Sequence, residues 1–467
     1  MNVATVILAA GEGTRMRSKL PKVLHPLGGQ PMIKYVVNLA MQFSQQPPVL
    51  VVGHGARLVQ DRLGDCVRYV LQEQRLGTGH AVLQAREELR GRSDAVLVLY
   101  GDMPLLTPPT CSQLLDVFAS RRPVVAMLTL VIGENADTMG FGRVLRDRQG
   151  RVTGIVEESV ATPEERRVRE LNCGVYCFQA DWLWDHLMQL QLGAKGEYYL
   201  TDLIALAAKA GQPVEAVPVE DPEDVLGIND RLHLARAEAI LRRRINNELM
   251  RGGVTLVDPA TTYVEVGVRV APDTVIYPNS YLLGDTSVGD DCIIGPNTIL
   301  RDTSVGPRCR IVASLLEAAS LGSDVTVGPF GHLRSAARLD DGVHMGNFGE
   351  VKNSYLGPGT KMGHFSYVGD ATIGAGVNIG AGTVTCNYDG TRKHATLIGD
   401  GVFIGSGSML VAPLEVGPGA TIGAGSVVTH DVPANTVVYG VPARVRRKAQ
   451  EEQPETQPEE IPEEGVE

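Results

Sequence analysis

Four basic residues, Arg15, Arg17, Lys19 and Lys22, arrive within eight positions just after two glycines in the stretch LAAGEGTRMRSKLPKVLH, residues 8–25. A glycine turn at the end of a strand can aim backbone N–H groups at an anion. Arg15 and Lys22 are then available to meet further phosphate oxygens. The dinucleotide fingerprint is excluded, because Met16 stands where its third glycine belongs, and no Gly-Lys-Ser/Thr follows to make an ATP-type loop. A phosphate cradle of another kind, or a structural turn flanked by solvated bases, remains.

A second group lies far downstream. The stretches FGHLRSAARLDDGVHMGNFGEVKNSYLG and CNYDGTRKHATL supply Arg334, Glu350, Lys352, Asn387, Tyr388 and Lys393, with His364 between them in KMGHFSYVG. Bases clustered near one another suit an anionic substrate. A histidine can take a proton from an amine near neutral pH; a solvated surface histidine is the plainer reading of His364.

The elements that must position these residues differ between the two halves. From Val3 to about Glu220, strand-like runs (VATVILAA, PVLVVG, AVLVLYGD, VVAMLTLVI) alternate with helical candidates over 32–43, 79–89 and 198–210. This predicts an α/β layer around a largely parallel sheet, with ligands at the carboxyl ends of strands. Gly11–Gly13 and Tyr100–Asp102 both stand at such ends. A long helix is expected over about 230–250, capped by Asp230, closed by Gly252-Gly253, with a face of Leu234, Ala237, Leu241, Ile245 and Leu249. At about 1.5 Å per residue it is a connecting arm of roughly 30 Å.

Beyond Gly253 an aliphatic residue recurs at every sixth position: Ile398, Ile404, Leu410, Val416, Ile422 and Val428. Six is not a multiple of 3.6, so the repeat is not helical. It fits a short strand plus a turn, three of which make one coil of a β-solenoid. The loop after Cys386 is thrown out of this regular coil, where function tends to sit.

Composition excludes several classes. The chain has 467 residues, 43% hydrophobic and 21% charged, which predicts two or three globular domains. Its net charge is −11, but eight glutamates fall within 449–467, and removing them leaves −3. That tail reads as disordered and acidic; no nucleic-acid partner and no membrane partner is expected. No apolar run is long enough to span a membrane and no signal peptide is expected. The seven cysteines are scattered, with Cys173 and Cys177 the only close pair, so reduced thiols in a cytoplasmic protein are expected.

The segments LAAGEGTRM…LPKVL, QRLGTGHA, LYGDMPLL, GFGR, GIVEE, LNCGVY and GIND follow the order seen in sugar-1-phosphate nucleotidyltransferases. With the solenoid and NFGEVKNS…GHFSYVGD…NIGAGTVTCNYDG behind them, the chain resembles a bifunctional family over all but its tail. That family joins N-acetylglucosamine-1-phosphate uridylyltransferase to glucosamine-1-phosphate N-acetyltransferase. The resemblance implies an α/β Rossmann-like nucleotidyltransferase domain over 1–229, a linker helix over 230–252, a left-handed parallel β-helix of hexapeptide repeats over 253–448, and the tail.

For uridylyl transfer it implies catalytic Arg15 and Lys22 on the phosphates, and Mg²⁺ held by Asp102 and Asn229. Leu8, Ala9, Ala10, Gly11, Gln72, Gly77 and Thr78 would line the uracil pocket, with Tyr100 and Gly101 nearby. Gly140, Glu157, Asn172 and Asn229 would contact the sugar. Without the family, a strand cap at Asp102 and a solvated Glu157 are the simpler readings. For acetyl transfer it implies His364 as base, Arg334, Lys352 and Lys393 on the sugar phosphate, Tyr367 and Asn378 on the sugar, and Glu350 orienting the amine. Ala381, Asn387, Tyr388, Ser406 and Ala424 would lie along acetyl-CoA. Some relatives carry a base where this chain has Gly440, and Arg444 or Arg446 could stand in for it. The family forms homotrimers with acetyl-transfer sites between chains. Acetylation followed by uridylylation with UTP would yield UDP-N-acetylglucosamine, a precursor of peptidoglycan and lipopolysaccharide. The alternative is a monofunctional nucleotidyltransferase with a structural solenoid.

Overall fold

Seven consecutive buried residues make the first strand, Val3–Ala9 (β1), as a strand covered on both faces requires. The computed structural model describes residues 1–133, 138, 140–193 and 196–448; the tail expected over 449–467 lies outside the described residues. It divides into two compact units, Met1–Arg242 and Arg243–Glu467.

In the first unit β1 pairs in parallel with Val49–Val52 (β2) and with Ala95–Tyr100. Arg68–Leu71 (β3) extends the sheet beyond β2, and Ala95–Tyr100 is β4. Val125–Val131 (β5), Arg143–Arg146 (β6), Val152–Val156 (β7), Glu170–Gln179 (β8) and Val214–Pro218 (β9) complete it. The order is β9-β5-β8-β4-β1-β2-β3, with β6 and β7 branching from β8. The sheet is mixed where a largely parallel one was expected, because β8 runs antiparallel to both β4 and β5.

Helix α1 spans Met32–Phe43 and buries Met32, Ile33, Val36, Val37, Leu39 and Ala40, the spacing of one helical face. The helix expected over 79–89 is two, Thr78–Gln84 (α2) and Arg86–Leu89, meeting at Ala85. The one expected from residue 198 begins only at Asp202. The Tyr198 backbone is occupied elsewhere: its N–H donates to the Leu76 carbonyl at 2.7 Å and its carbonyl accepts from Gly79 at 2.8 Å.

The long helix spans Arg231–Arg251 (α3). Asp230 caps it, its Oδ1 accepting from the N–H groups of Leu232 and His233 at 3.0 and 2.9 Å. Within the first unit Ala237 and Ile240 join a small core with Leu27, Met32 and Leu105. Within the second, Ile245 and Leu249 pack on the solenoid core, and the Asn246 amide donates to the carbonyls of Pro259 and Thr262.

The second unit is a parallel β-helix whose three faces, among the described residues, are sheets of twelve, ten and nine strands. We term these the first, second and third faces. Every hexad aliphatic from Ile398 to Val428 is buried, each contributing roughly 1.5–3 kcal/mol over the exposed state. Successive coils approach so closely that a Cβ on Gly346 would lie 1.9 Å from the Gly363 carbonyl oxygen. The antiparallel pair Thr436–Gly440 and Ala443–Lys448 ends the first face.

Candidate active sites

The first unit opens two adjoining clefts at the carboxyl ends of β1 and β4. The larger, about 800 Å³, is lined by Leu8, Ala9, Ala10, Gly11, Lys22, Gln72, Gly77, Thr78, Tyr100 and Asp102. The smaller, about 280 Å³, is lined by Gly140, Glu157, Asn172 and Asn229 and shares Thr78, Tyr100 and Asp102 with the larger. Gly101 is buried behind them, where a Cβ would lie 2.7 Å from Ile33.

Arg15 and Lys22 of the opening loop already hold oxygens. Lys22 Nζ is ion-paired with Asp102 Oδ2, both side chains largely buried. The exposed Arg15 donates through Nη2 to Asn229 Oδ1 at 2.9 Å. The main chain fixes the second oxygen pair, since the Ile228 N–H donates to the Asp102 carbonyl at 2.9 Å. The opening loop therefore reaches both edges of the smaller cleft through side chains whose partners line it.

Gln72 is turned into the larger cleft by donating to the Gly77 carbonyl at 3.1 Å and by contact with His80 Nδ1 at 3.0 Å. Thr78 Oγ1 accepts from the Leu200 N–H at 3.0 Å. Asn172 owes its place to a bulge in β8 against β5, between Asn172 and Tyr176, where Gly174 takes φ +81°. Its amide donates to the buried Tyr176 hydroxyl at 2.7 Å. Burial, then the charges of Glu157 and Asp102, holds the Tyr100 hydroxyl well above its ordinary pKa. Tyr100 is thus a neutral hydrogen-bonding wall.

Several cleft residues carried no recognised sequence signal. Arg75 lines the larger cleft and is ion-paired with Glu12 of the opening loop. Glu197, Tyr199 and Thr201 line the smaller one, and Thr201 Oγ1 donates to Glu157 Oε1 at 3.0 Å. Beneath Gly140 and Glu157 lies Arg143, 1% exposed, ion-paired with Glu158 at 2.6 Å and donating to the Phe141 carbonyl.

The acetyl-transfer candidates are spread across the second face of the solenoid. At its centre Glu350 and Tyr367 stand side by side in register, with His332 on the coil before. Arg334 Nη1 donates to Glu350 Oε1 at 2.8 Å. At the edge toward the third face, Lys352 meets Lys393, whose Nζ lies 3.9 Å from Asp370 Oδ2. The Lys352 pKa is held below its ordinary value, first by the Arg334 charge and then by Lys393. Asn387 and Tyr388 belong to the same edge, where the loop folds back through a Tyr388–Lys393 bridge. A Cβ on Gly369 would lie 2.3 Å from the Tyr367 hydroxyl and 2.8 Å from Asn387 Nδ2, so the absent side chain leaves room for both.

At the opposite edge, the corner between first and second faces, the exposed His364 stands in the turn joining Lys361–Met362 to Ser366–Gly369. Ala381, Ser406 and Ala424 occupy the same corner on later coils, coupled by Gly407 N–H to the Ala381 carbonyl and Gly425 N–H to the Ser406 carbonyl at 2.7 and 2.8 Å. Asn378 is not with Tyr367: it lies on the first face, between Lys361 and Phe403. One chain therefore keeps the expected coenzyme residues on two different edges of one face. Gly440 takes φ +106°, and Arg446 stacks over Tyr439 with 5.1 Å to the ring centroid. Among the described residues no cluster of three or more His, Cys, Asp or Glu could hold a metal, and no helix is long and apolar enough to cross a membrane.

Residues 5–195 match the model of the MobA-like NTP transferase domain, and residues 267–302 and 395–430 match the bacterial transferase hexapeptide repeat. This agrees with a Rossmann-like first unit and a left-handed parallel β-helix in the second. The chain is 48% identical to the bifunctional protein GlmU of Pelobacter propionicus, over 96% of this chain and 97% of that one. It is 45% identical to the GlmU of Brevibacillus brevis (95% and 96%) and 45% identical to that of Geotalea uraniireducens (96% and 98%). The chain belongs to the bifunctional GlmU family, transferases of UDP-N-acetylglucosamine and cell-wall synthesis with uridylyltransferase and acetyltransferase activities.

Proposed function

We propose that 1–229 carries uridylyl transfer, that 230–252 connects, and that 253–448 carries acetyl transfer, each through the residues assembled above. In the first reaction to act, the glucosamine-1-phosphate amine attacks the acetyl-CoA thioester carbonyl. His364 takes the amine proton, the C–S bond breaks and the CoA thiol leaves. Arg334, Lys352 and Lys393 hold the sugar phosphate, Tyr367 and Asn378 the sugar, and Glu350 orients the amine. Ala381, Asn387, Tyr388, Ser406 and Ala424 lie along the coenzyme.

In the second reaction, a phosphate oxygen of N-acetylglucosamine-1-phosphate attacks the α-phosphorus of UTP and pyrophosphate leaves. Such chemistry needs positioning and charge neutralisation more than covalent help. Leu8–Gly11, Gln72, Gly77 and Thr78 hold the nucleotide, with Tyr100 and Gly101 forming the wall behind it. Gly140, Glu157, Asn172 and Asn229 hold the sugar. The carboxylate of Asp102 and the amide oxygen of Asn229 are hard oxygen donors suited to Mg²⁺, and both are met by cations, Lys22 and Arg15. When bound there, Mg²⁺ would neutralise triphosphate charge. Lys22 and Arg15, exchanging their protein oxygens for phosphate oxygens, would then stabilise the attacked group.

We further propose a homotrimer acting in the cytoplasm, where UTP and acetyl-CoA are available. Two observations support the assembly. The outward row of the second face is largely apolar, with Ile299, Leu315, Val384, Met409 and Val427 in register around its polar centre. The third face presents Arg269, Ser287, Ser304 and Ser320 instead. Asn378 and Tyr367 lie on different faces of one chain, and a closed threefold ring would bring the Asn378 of one chain to the Tyr367 of a neighbour.

The observation that carries this reading is the convergence of Arg15, Lys22, Asp102 and Asn229 on two adjoining clefts, apart from the base-rich edge of the solenoid. The test follows thiol release and pyrophosphate release in the same preparations of wild type and His364→Ala. Thiol release should collapse in the variant while pyrophosphate release persists. A wild type that releases pyrophosphate but never thiol would reduce the solenoid to scaffolding.

A further inference from the structure

The loop over 387–395 carries Asn387 and Lys393, yet Tyr388, its one large apolar side chain, is 62% exposed. Apart from the Leu414 N–H, which donates to the Ala395 carbonyl at 3.3 Å, its polar attachments to the solenoid among the described residues gather on Asp370. This aspartate has a left-handed backbone, φ +51°, and a largely buried side chain, 15% exposed. Its Oδ2 accepts from Asn387 Nδ2, the first residue of the loop, and lies 3.9 Å from Lys393 Nζ. Its Oδ1 accepts from Asn353 Nδ2 at 2.6 Å. Its carbonyl accepts from the Thr396 N–H at 3.1 Å, just past the loop, and its own N–H donates to the Lys352 carbonyl at 3.2 Å. Asp370 thus holds both ends of the loop and touches two of the three bases assigned to the sugar phosphate.

We propose that Asp370 is a positioning residue for acetyl transfer, holding Asn387 and Lys393 against Lys352 so that the phosphate-binding cations converge before substrate arrives. The proposal rests on the reading of Arg334, Lys352 and Lys393 as the phosphate site. Three like charges at one edge repel, and Lys352 already feels Arg334 and Lys393; Glu350 balances Arg334, and Asp370 supplies the counter-charge beside Lys393. Preorganised cations bind without ordering a loop at the moment of encounter.

The test uses the full chain and steady-state thiol release. Asp370→Asn removes the charge but keeps the shape, and should raise the KM for glucosamine-1-phosphate about tenfold, the loss of one charge-assisted contact. It should leave kcat within about threefold. Lys393→Ala should raise the same KM, and the double variant should be little worse than the weaker single, because the two act as a unit. A residue that merely supports the fold would lower kcat and melting temperature, and its effect would add to that of Lys393→Ala; either result overturns the proposal. Should Asp370→Asn melt below the assay temperature, Asp370→Glu carries the same test, with a KM between wild type and Lys393→Ala expected. An unchanged KM in Asp370→Asn beside a raised one in Lys393→Ala sinks the proposal alone. An unchanged KM in Lys393→Ala sinks the phosphate reading and the proposal with it.

Discussion

Lys22 Nζ rests on the carboxylate of Asp102, one of the residues that line both clefts of the first unit. The pair ties the opening loop to the end of β4 and neutralises a largely buried carboxylate. In the proposed reaction it would also set two groups at one point for an incoming triphosphate: a cation for phosphate oxygens and an oxygen for a hard metal ion.

Truncating the cation separates those roles. Lys22→Ala should lower pyrophosphate release by about 10²–10³, the usual cost of removing one charge-stabilising donor, and leave thiol release unchanged. A loss of less than about threefold would remove Lys22 from the chemistry.

Gly77 caps α2 with φ +97°, and an added Cβ would stand 2.6 Å from the Tyr198 carbonyl oxygen and 2.8 Å from its nitrogen. A left-handed Cβ residue costs roughly 1–2 kcal/mol before any clash, and here the obstacle is backbone. Gly77→Ala should destabilise the protein by about 2 kcal/mol or more and raise the KM for UTP. Thermal melting with pyrophosphate kinetics reads both; an unchanged melt refutes the strain argument.

The sequence revealed what local periodicity encodes. The hexads from Ile398 to Val428 named their buried positions because each coil repeats the same environment, and the strand ends at Gly11 and Asp102 marked one cleft. What it withheld depends on distant chain. Glu197, Tyr199 and Thr201 line the smaller cleft only because the Tyr198 backbone bonds to Leu76 and Gly79. The β8 bulge that delivers Asn172 needs β5 as a ruler. Asp370 reads as a turn residue until the loop returns to it seventeen positions later at Asn387. Ile240 is buried in α3 while Leu241 of the expected face is less so, because half a helix face is decided by what packs on it.

Arg143 is 1% exposed and reaches Glu158 and the Phe141 carbonyl together, so it braces the two segments bearing Gly140 and Glu157. Glu158, 35% exposed, regains water when its partner is removed, so the loss is that of one charge-assisted pair and of the donor to the Phe141 carbonyl, about 1–3 kcal/mol. Arg143→Ala should therefore lower stability by that amount and raise the KM for N-acetylglucosamine-1-phosphate. Arg143→Lys should rescue poorly, since a lysine lacks the planar fork that meets both acceptors. Full rescue by lysine would argue for charge alone.

The cation cluster gives a pH dependence of definite sign. Lys352 has its pKa lowered from 10.5, chiefly by Arg334 and then Lys393. Between that depressed value and 10.5 the unfolded chain holds the proton and the folded chain has released it, so this group makes stability rise with pH across the window. Binding runs the other way, because a neutral Lys352 no longer attracts phosphate. Calorimetric affinity for glucosamine-1-phosphate should therefore begin to fall at a pH below 10.5. Lys352→Arg, which stays charged, should move the fall upward; the same profile in both proteins would take Lys352 out of the site.

In the proposed ring, the apolar row on the second face would make assembly separable from folding. Met409 lies in register between Val384 and Val427, outward from a core that Leu410 fills beside it. In an isolated chain Met409→Glu changes only a surface position, within about 0.5 kcal/mol. In a ring closed over this face it buries an unpaired carboxylate, costing several kcal/mol per contact. The variant should sediment as a smaller species, with pyrophosphate release intact and thiol release lost, because Asn378 and Tyr367 would no longer share a site. A Met409→Glu protein of unchanged mass and unchanged thiol release would exclude this face as the seam.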